Sequence, residues 1–316
     1  MLPKTLARKY GLREFMVKRY IEIFGVKGTK EFLDKVERGI SSYVRVNTIR
    51  GREEEITYRL MEKGFDLKDT FVPHVYSIKG DFSPSSSLEY LRGEIFLQDL
   101  SSAYASFSLG VKEGERVLDM CSAPGAKTTH IAQLMRNKGE ILAVDSSKTR
   151  VLSLIYNLAR CGVRNCYVWI EDSRKLPSMI KSKFDRVLLD APCTGEGVIS
   201  KDRSRKLSRV EKDYSIMSSI QKELISSGLS LLKEGGILVY STCSISPEEN
   251  EEVISYALEK FQVEIIPLEF GERGLKSFMG RRYPKEVTKC RRFYPHVHDT
   301  YGFFLAKLRL VKEVKT

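Results

Sequence analysis

Over residues 4–38, apolar side chains recur at the three-to-four-residue spacing of an amphipathic helix: Leu6, Tyr10, Phe15, Tyr20, Ile23 and Phe24 stand among lysines and arginines. The pattern predicts helices, with Gly25 and Gly28 as breaks. Tyr43-Val44-Arg45-Val46-Asn47-Thr48-Ile49 then alternates like a half-buried strand, and a charged helix is predicted near 52–62, ending at Gly64. Ser83-Pro84-Ser85-Ser86-Ser87 reads as a loop. From about residue 115 the texture changes. Short runs at 117–119, 141–145, 167–170, 186–190 and 237–240 are each apolar enough for a strand buried on both faces, with segments of helical length between them. This alternation predicts a doubly wound α/β sheet, whose ligands bind in the crevice beyond the carboxyl ends of the strands. A boundary at Gly93 divides the chain into an α+β accessory domain over 1–92 and a larger α/β domain over 93–316.

Composition narrows the class of protein. With 316 residues, 42% of them hydrophobic, the chain can bury a sizeable core, which excludes disorder as the dominant state. No run approaches the roughly 18 apolar residues of a membrane helix. The opening Met1-Leu2-Pro3-Lys4 leads into a charged segment without a signal core, so a soluble, cytoplasmic protein with no membrane partner is expected. Fifty-three Lys and Arg against 41 Asp and Glu give a net charge of +12, which points to an anionic partner: nucleic acid, anionic lipid or a phosphorylated substrate. The six cysteines, at 121, 161, 166, 193, 243 and 290, are too sparse for a disulfide framework and include no Cys-x-x-Cys pair. They are expected to be thiols. His296 and His298 lack a third ligand nearby, so no metal is expected. Nothing in the sequence predicts an oligomer.

In such a sheet the residues just past each strand face the ligand. After the first strand comes Asp119-Met120-Cys121-Ser122-Ala123-Pro124-Gly125-Ala126-Lys127-Thr128-Thr129, a small-residue turn that opens a helix and lets backbone approach a ligand. Its single glycine excludes the G-x-G-x-x-G of a dinucleotide site, and aligning a P-loop on Lys127-Thr128 puts Cys121 and Ala126 at glycine positions. Asp145 ends the second strand and Asp172 follows the third. Each is either an acceptor for a nucleoside or a helix cap. The fourth strand ends Asp190-Ala191-Pro192-Cys193-Thr194-Gly195-Glu196-Gly197 and the fifth Tyr240-Ser241-Thr242-Cys243-Ser244. These strands are expected to be neighbours, which brings two thiols to one crevice. Two thiols beside an adenosine-type cofactor site suggest covalent catalysis on a pyrimidine. Thiolate addition at carbon 6 makes carbon 5 nucleophilic enough to take a methyl group, and Asp190 is suited to hydrogen-bonding ring nitrogen 3. Position alone does not decide which cysteine attacks.

Several long motifs in fixed order resemble the Sun/Fmu-type RNA cytosine-5 methyltransferase family over nearly the whole chain. They are Gly93-Glu94-Ile95-Phe96-Leu97-Gln98-Asp99 with Ser101-Ser102, the loop from Asp119 to Thr129, Asp190 to Gly197, Tyr240 to Ser244 followed by Pro247-Glu248-Glu249-Asn250-Glu251, and Arg292 with Pro295-His296 leading into Thr300-Tyr301-Gly302-Phe303-Phe304. The resemblance implies a class I, Rossmann-like methyltransferase fold, a seven-stranded, mostly parallel sheet whose last strand is antiparallel, with S-adenosylmethionine as cofactor. By motif, it implies that Cys121, Ser122, Ala123, Pro124, Gly125, Ala126 and Lys127 form the cofactor loop, that Asp145 holds the ribose with Arg150 beside it, that Asp172 faces the adenine, and that Asp190 faces the reacting end. It also orders the thiols, with Cys243 as nucleophile and Cys193 assisting product release. One departure is Gly125-Ala126-Lys127 where the family usually has Gly-Gly-Lys. The amino-terminal region looks like the family's small domain likened to an RNA-recognition motif, without aromatic-rich RNP strands.

Charge agrees with a polynucleotide. Arg273, Lys276, Arg281, Arg282, Lys285, Lys289, Arg291 and Arg292 face only Glu286 in their stretch, and Lys201-Asp202-Arg203-Ser204-Arg205-Lys206 follows the Cys193 loop. Arg281, Arg282, Arg291, Arg292, Lys201 and Arg203 are the expected RNA contacts. The reading is an RNA cytosine-5 methyltransferase acting on tRNA, with rRNA as the alternative substrate. An NAD-dependent oxidoreductase, disfavoured by the missing glycine fingerprint, and a non-catalytic RNA-binding protein, which needs neither thiol, are the rivals from other classes.

Overall fold

Val44 and Val46 face one side of β1 (Ser42–Val46) and Tyr43 and Arg45 the other, as the two-residue period of a strand requires. The computed structural model describes residues 2–314; Met1, Lys315 and Thr316, at the outer ends of the two expected domains, lie outside the described residues. With β2 (Asp66–Asp69), β3 (Val75–Lys79) and β4 (Ile95–Leu97), β1 forms an antiparallel sheet in the order β2-β3-β1-β4. Ile56 and Leu60 of the helix Glu53–Glu62, with Phe65, cover Val44, Val46, Ile78 and Ile95. The opposite face lies on the larger domain through polar contacts. Arg45, fully buried, donates to Thr129 Oγ1 at 2.8 Å, and Gln133 Nε2 donates to the Val46 carbonyl at 2.9 Å. Burial pushes the Arg45 guanidinium down to about 10.

The accessory sheet reaches Leu97, past the boundary expected at Gly93. Gly93 itself is a turn, with φ of +71°, where a Cβ would overlap the Arg160 carbonyl. Residues 2–38 stand apart from this sheet. The helices Leu2–Tyr10 and Glu14–Arg38 pack Leu6, Met16, Tyr20 and Phe32 against Ile199, Ile245 and Tyr294 of the larger domain. Gly25, with φ of +70°, kinks the second helix instead of ending it, and Gly28 lies within it.

The five apolar runs become β5 (Arg116–Asp119), β6 (Glu140–Val144), β7 (Cys166–Trp169), β8 (Phe184–Asp190) and β9 (Leu232–Thr242). They are followed by β10 (Val263–Ile266), the two-residue ladders β11 (Glu272–Arg273), β12 (Ser277–Phe278) and β13 (Arg281–Arg282), then β14 (Arg291–Phe293) and β15 (Phe303–Leu310). The order β7-β6-β5-β8-β9 is parallel throughout; β15 joins antiparallel to β9, and β10 antiparallel to β15. This is the expected seven-stranded sheet with one reversed strand. β14 takes the part of the β15 edge that β10 leaves free, and β11 extends it. Alternation fills two layers. Leu118, Val187, Leu189, Leu238 and Tyr240 face the helices Glu211–Ser230 and Glu251–Lys260. Val117, Ile141, Leu188, Val239 and Leu305 face Leu100–Ser108 and Ala126–Leu134. No helix among the described residues is long and apolar enough to cross a membrane.

Candidate active site

The parallel strands deliver their carboxyl ends to one edge of the sheet, and β8 and β9 are neighbours there, with Asp190 opposite Ser241. Two cavities open along this edge. One, of about 420 Å³, is lined by Cys121, Asp145, Arg150, Asp172 and Cys193 among others. The second, of about 550 Å³, is lined by Phe96, Gln98, Lys127, Lys201, Tyr301 and others. Asp190, Arg205 and Cys243 line both. A larger space of about 920 Å³, lined in part by Arg50, His74, Arg136 and Arg164, lies away from the thiols.

The loop after β5 is shaped by Gly125, whose φ of +103° sets the entry to the helix Ala126–Leu134. Of the residues expected to hold a cofactor, Cys121 lines the first cavity, while Ser122 and Ala123 are buried, with Ser122 Oγ donating to the Val144 carbonyl at 3.0 Å. Pro124, Ala126 and Lys127 border the second cavity instead. Asp145 accepts from the backbone N–H of Ala123 at 3.1 Å and of Ser147 at 3.0 Å and presents a carboxylate to the cavity, while Ser147, not Asp145, caps the helix Lys148–Cys161. Arg150 bonds the Ala123 carbonyl and lies 3.5 Å from Asp145. Asp172 is gripped by Arg174 at 2.6 Å, and that bond holds its carboxyl below the usual range. Asp119, missed in the sequence as a buried group, accepts from Thr128 Oγ1 at 2.7 Å under the loop, and burial pushes it up to about 7.

The two thiols meet. Cys193 Sγ and Cys243 Sγ are 3.1 Å apart, a hydrogen-bond distance and far from the roughly 2.05 Å of a disulfide. A Cys193 S–H donating to Cys243 pulls the Cys243 thiol below its ordinary value against the cost of burial; the cations of Lys127 and Arg205 act in the same direction. The same bond, with burial, pushes Cys193 well up. These opposite directions make Cys243 the more acidic of the two thiols. Asp190 sits beside it, accepting from Lys127 Nζ at 2.6 Å and Ser241 Oγ at 2.7 Å.

Tight backbone contacts fix the thiol loops. Gly197 N–H donates to the Cys243 carbonyl at 2.9 Å, and Gly302 N–H donates to the Gly197 carbonyl at 3.0 Å. A Cβ at Gly197 would overlap the Gly302 carbonyl, so the position has room only for glycine. Behind this layer, the buried Arg19 donates to Ser246 Oγ at 2.9 Å and pairs with Glu248 at 2.5 Å. Sequence reading missed Arg19, since nothing in a basic amphipathic helix marks which arginine turns inward.

The expected RNA contacts divide. Lys201 borders the second cavity and is exposed; Arg203 is exposed and 3.4 Å from Glu37. Arg281 and Arg282 are exposed on a hairpin, with Arg281 paired to Glu252 at 2.7 Å. Arg291 is half-buried on the carbonyls of Lys289 and Cys290 at 3.2 and 3.1 Å. Arg292 corrects the sequence expectation. Pairing of β14 with β15 turns its side chain into the core, where it is 1% exposed, donates to Glu251 Oε1 at 2.6 Å and to the Ile245 carbonyl at 2.9 Å, and cannot meet RNA. Arg292→Ala leaves Glu251 buried and unpaired, so a loss of about 3–5 kcal/mol of stability is expected in urea unfolding. Arg205, by contrast, belongs to the basic cluster but was not among the expected contacts. It lines both cavities and donates to the Thr194 carbonyl at 2.8 Å.

The strand order with its reversed β15 defines a class I methyltransferase. Residues 106–309 match the family described as 16S rRNA methyltransferase RsmB/F, and the chain belongs to that family. It is 41% identical over 98% of its length to a 28S rRNA (cytosine-C(5))-methyltransferase of Mus musculus, of which it covers 40%. It is 36% identical over 93% of its length to a tRNA (cytosine(49)-C(5))-methyltransferase of Pyrococcus abyssi, of which it covers 95%. The crystal structure of a methyltransferase homologue from Pyrococcus horikoshii superposes with a TM-score of 0.88 at 38% identity, with 96% of this chain and 97% of that one covered. The chain spans 39–52% of the length of the eukaryotic relatives it matches.

Proposed function

We propose that the protein transfers a methyl group from S-adenosylmethionine to carbon 5 of cytosine in RNA, through a covalent bond between Cys243 and the base, and that its substrate is tRNA. The observation that carries this reading is the thiol pair at the junction of two cavities, with Cys243 bordering both and Cys193 only the first. The first cavity suits the cofactor: Asp145 and Asp172 offer carboxylate acceptors for ribose hydroxyls and an adenine amino group, and Cys121 closes the near wall. Bound there, S-adenosylmethionine supplies an electrophilic methyl for carbon 5. The second cavity, with Phe96, Tyr301 and Phe303 in its lining, suits the base.

The chain's own residues do the rest. The Cys243 thiolate adds to carbon 6, which gives carbon 5 enamine character. Lys127 Nζ, 2.6 Å from Asp190, donates to the acceptor edge of the ring and stabilises the negative charge that the addition creates, while the Asp190 carboxylate holds that ammonium in place. After methylation the carbon 5 proton leaves to a base, the carbon 5–carbon 6 double bond reforms, and sulfur departs as a thiolate with the Cys193 S–H donating to it. A tRNA substrate is supported by the tRNA enzyme of Pyrococcus abyssi, which the chain matches along 95% of that protein's length. The identity with the mouse rRNA enzyme supports the second reading. Incubation with tRNA and rRNA separately, with sites located by bisulfite sequencing, is expected to show methylated cytosines in tRNA. Modification of rRNA alone overturns the substrate, and tight NAD binding without affinity for S-adenosylmethionine overturns the activity.

A further inference from the structure

Glu249 stands behind the thiols, fully buried, and its two oxygens are spoken for by residues of both thiol loops. Oε1 accepts from the Thr194 backbone N–H at 2.8 Å and from Gln221 Nε2 at 3.1 Å. Oε2 accepts from Thr194 Oγ1 at 2.5 Å and from Ser244 Oγ. Thr194 directly follows Cys193, and Ser244 directly follows Cys243. Gln221 Nε2 also donates to the Pro192 carbonyl at 2.8 Å, so the residue before Cys193 is tied to the same group. The Tyr240 hydroxyl, donating to the Glu249 carbonyl at 2.6 Å, fixes the carboxylate's own backbone to β9. All four donors to the carboxylate are neutral, and burial raises the group's affinity for a proton. A buried charge held by dipoles alone costs stability. What it provides in return is geometric.

We propose that Glu249 is a positioning residue for the thiol pair: by holding Thr194 and Ser244 on one carboxylate, it keeps Cys193 within hydrogen-bond reach of Cys243, so that the Cys193 S–H donates to the Cys243 sulfur. A carboxylate is the group that can do this. It offers acceptor sites on both oxygens for four converging donors, whereas an amide has one oxygen and turns N–H groups toward the others. Without the clamp the two loops are still joined at their ends, by Ala191 N–H to the Ser241 carbonyl at 2.8 Å, Gly197 N–H to the Cys243 carbonyl and Ser246 Oγ to Glu196 at 3.0 Å, but beside the thiols only the 3.3 Å approach of Thr194 Oγ1 to Ser244 Oγ remains.

The inference rests on Cys243 as the attacking thiol, so its test reads each thiol without methyl transfer. The full chain is alkylated with iodoacetamide across a pH range and each modified cysteine is quantified by mass spectrometry. In the unmodified sequence, Cys243 is expected to be half-reactive below the roughly 8.5 of an ordinary thiol, with Cys193 unreactive over the same range. Glu249→Gln is expected to raise the Cys243 midpoint by about one pH unit and to lower kcat about tenfold below that midpoint, with KM for S-adenosylmethionine unchanged, because Glu249 lines neither cavity. Thr194→Val, which removes one donor, is expected to shift it in the same direction and carries the test if Glu249→Gln does not fold. A Cys243 midpoint that stays in place in the folded variant overturns the role of Glu249. A low midpoint at Cys193 in the unmodified sequence overturns instead the choice of Cys243 as nucleophile.

Discussion

Cys243→Ala is expected to lower methyl transfer on the order of 10⁵-fold and to leave no covalent protein–RNA species on a denaturing gel. The size follows from the chemistry. Without an adduct at carbon 6, carbon 5 of cytosine is too weak a nucleophile, and alignment in the site cannot replace the missing electron pair. Cys193 is not a substitute, since it borders the first cavity only and not the second, where the base is proposed to sit. Binding of S-adenosylmethionine should change less than about twofold by calorimetry, because Asp145 and Asp172 are untouched. Residual turnover within tenfold of the unaltered protein would remove Cys243 from the mechanism.

Cys193→Ala is expected to give the opposite picture: turnover falls on the order of 10²–10³-fold, while a denaturant-resistant protein–RNA adduct accumulates toward one per active site. Addition and elimination lean on Cys193 unequally. Losing the 3.1 Å donor raises the proton affinity of Cys243, so less thiolate is present, but each thiolate is a stronger nucleophile, and the two effects partly cancel in the addition. They do not cancel in the release, where a more basic sulfur is a poorer leaving group and no S–H receives it. The gel is run with labelled RNA and with added S-adenosylmethionine. An adduct in Cys243→Ala and none in Cys193→Ala would exchange the two roles.

The larger domain was legible because central strands of a parallel sheet must be apolar, and the five runs coincide with β5 to β9, although β7, at the sheet edge, is only partly buried. The accessory sheet was mostly not. β2 is largely exposed and β4 is three residues long, so neither carries a pattern, and only β1, with its alternation, could be read. The thiols were found from their places after adjacent strands, and the 3.1 Å contact brings them together as those places require; their order came from the resemblance in the motifs and is what the cysteine variants test. Arg292 was misplaced because a row of like charges does not reveal which member a strand turns inward. Arg19, Arg45 and Glu249 share that difficulty. Each is a charged residue whose burial depends on partners far along the chain, a fact absent from its local sequence.

The packing of the first two helices also sets a timetable. Arg19 and Ser246 are 227 positions apart, and the apolar faces around Leu6, Met16, Tyr20 and Phe32 close on Ile199, Ile245 and Tyr294. At the ribosome's roughly 5–20 residues per second, the amino-terminal helices wait about 10–45 s before their partners are synthesised. For that interval their core-facing side chains have only each other and whatever holds nascent chains, and the loop that carries Cys243 completes its support only when these helices dock onto segments made some two hundred positions later.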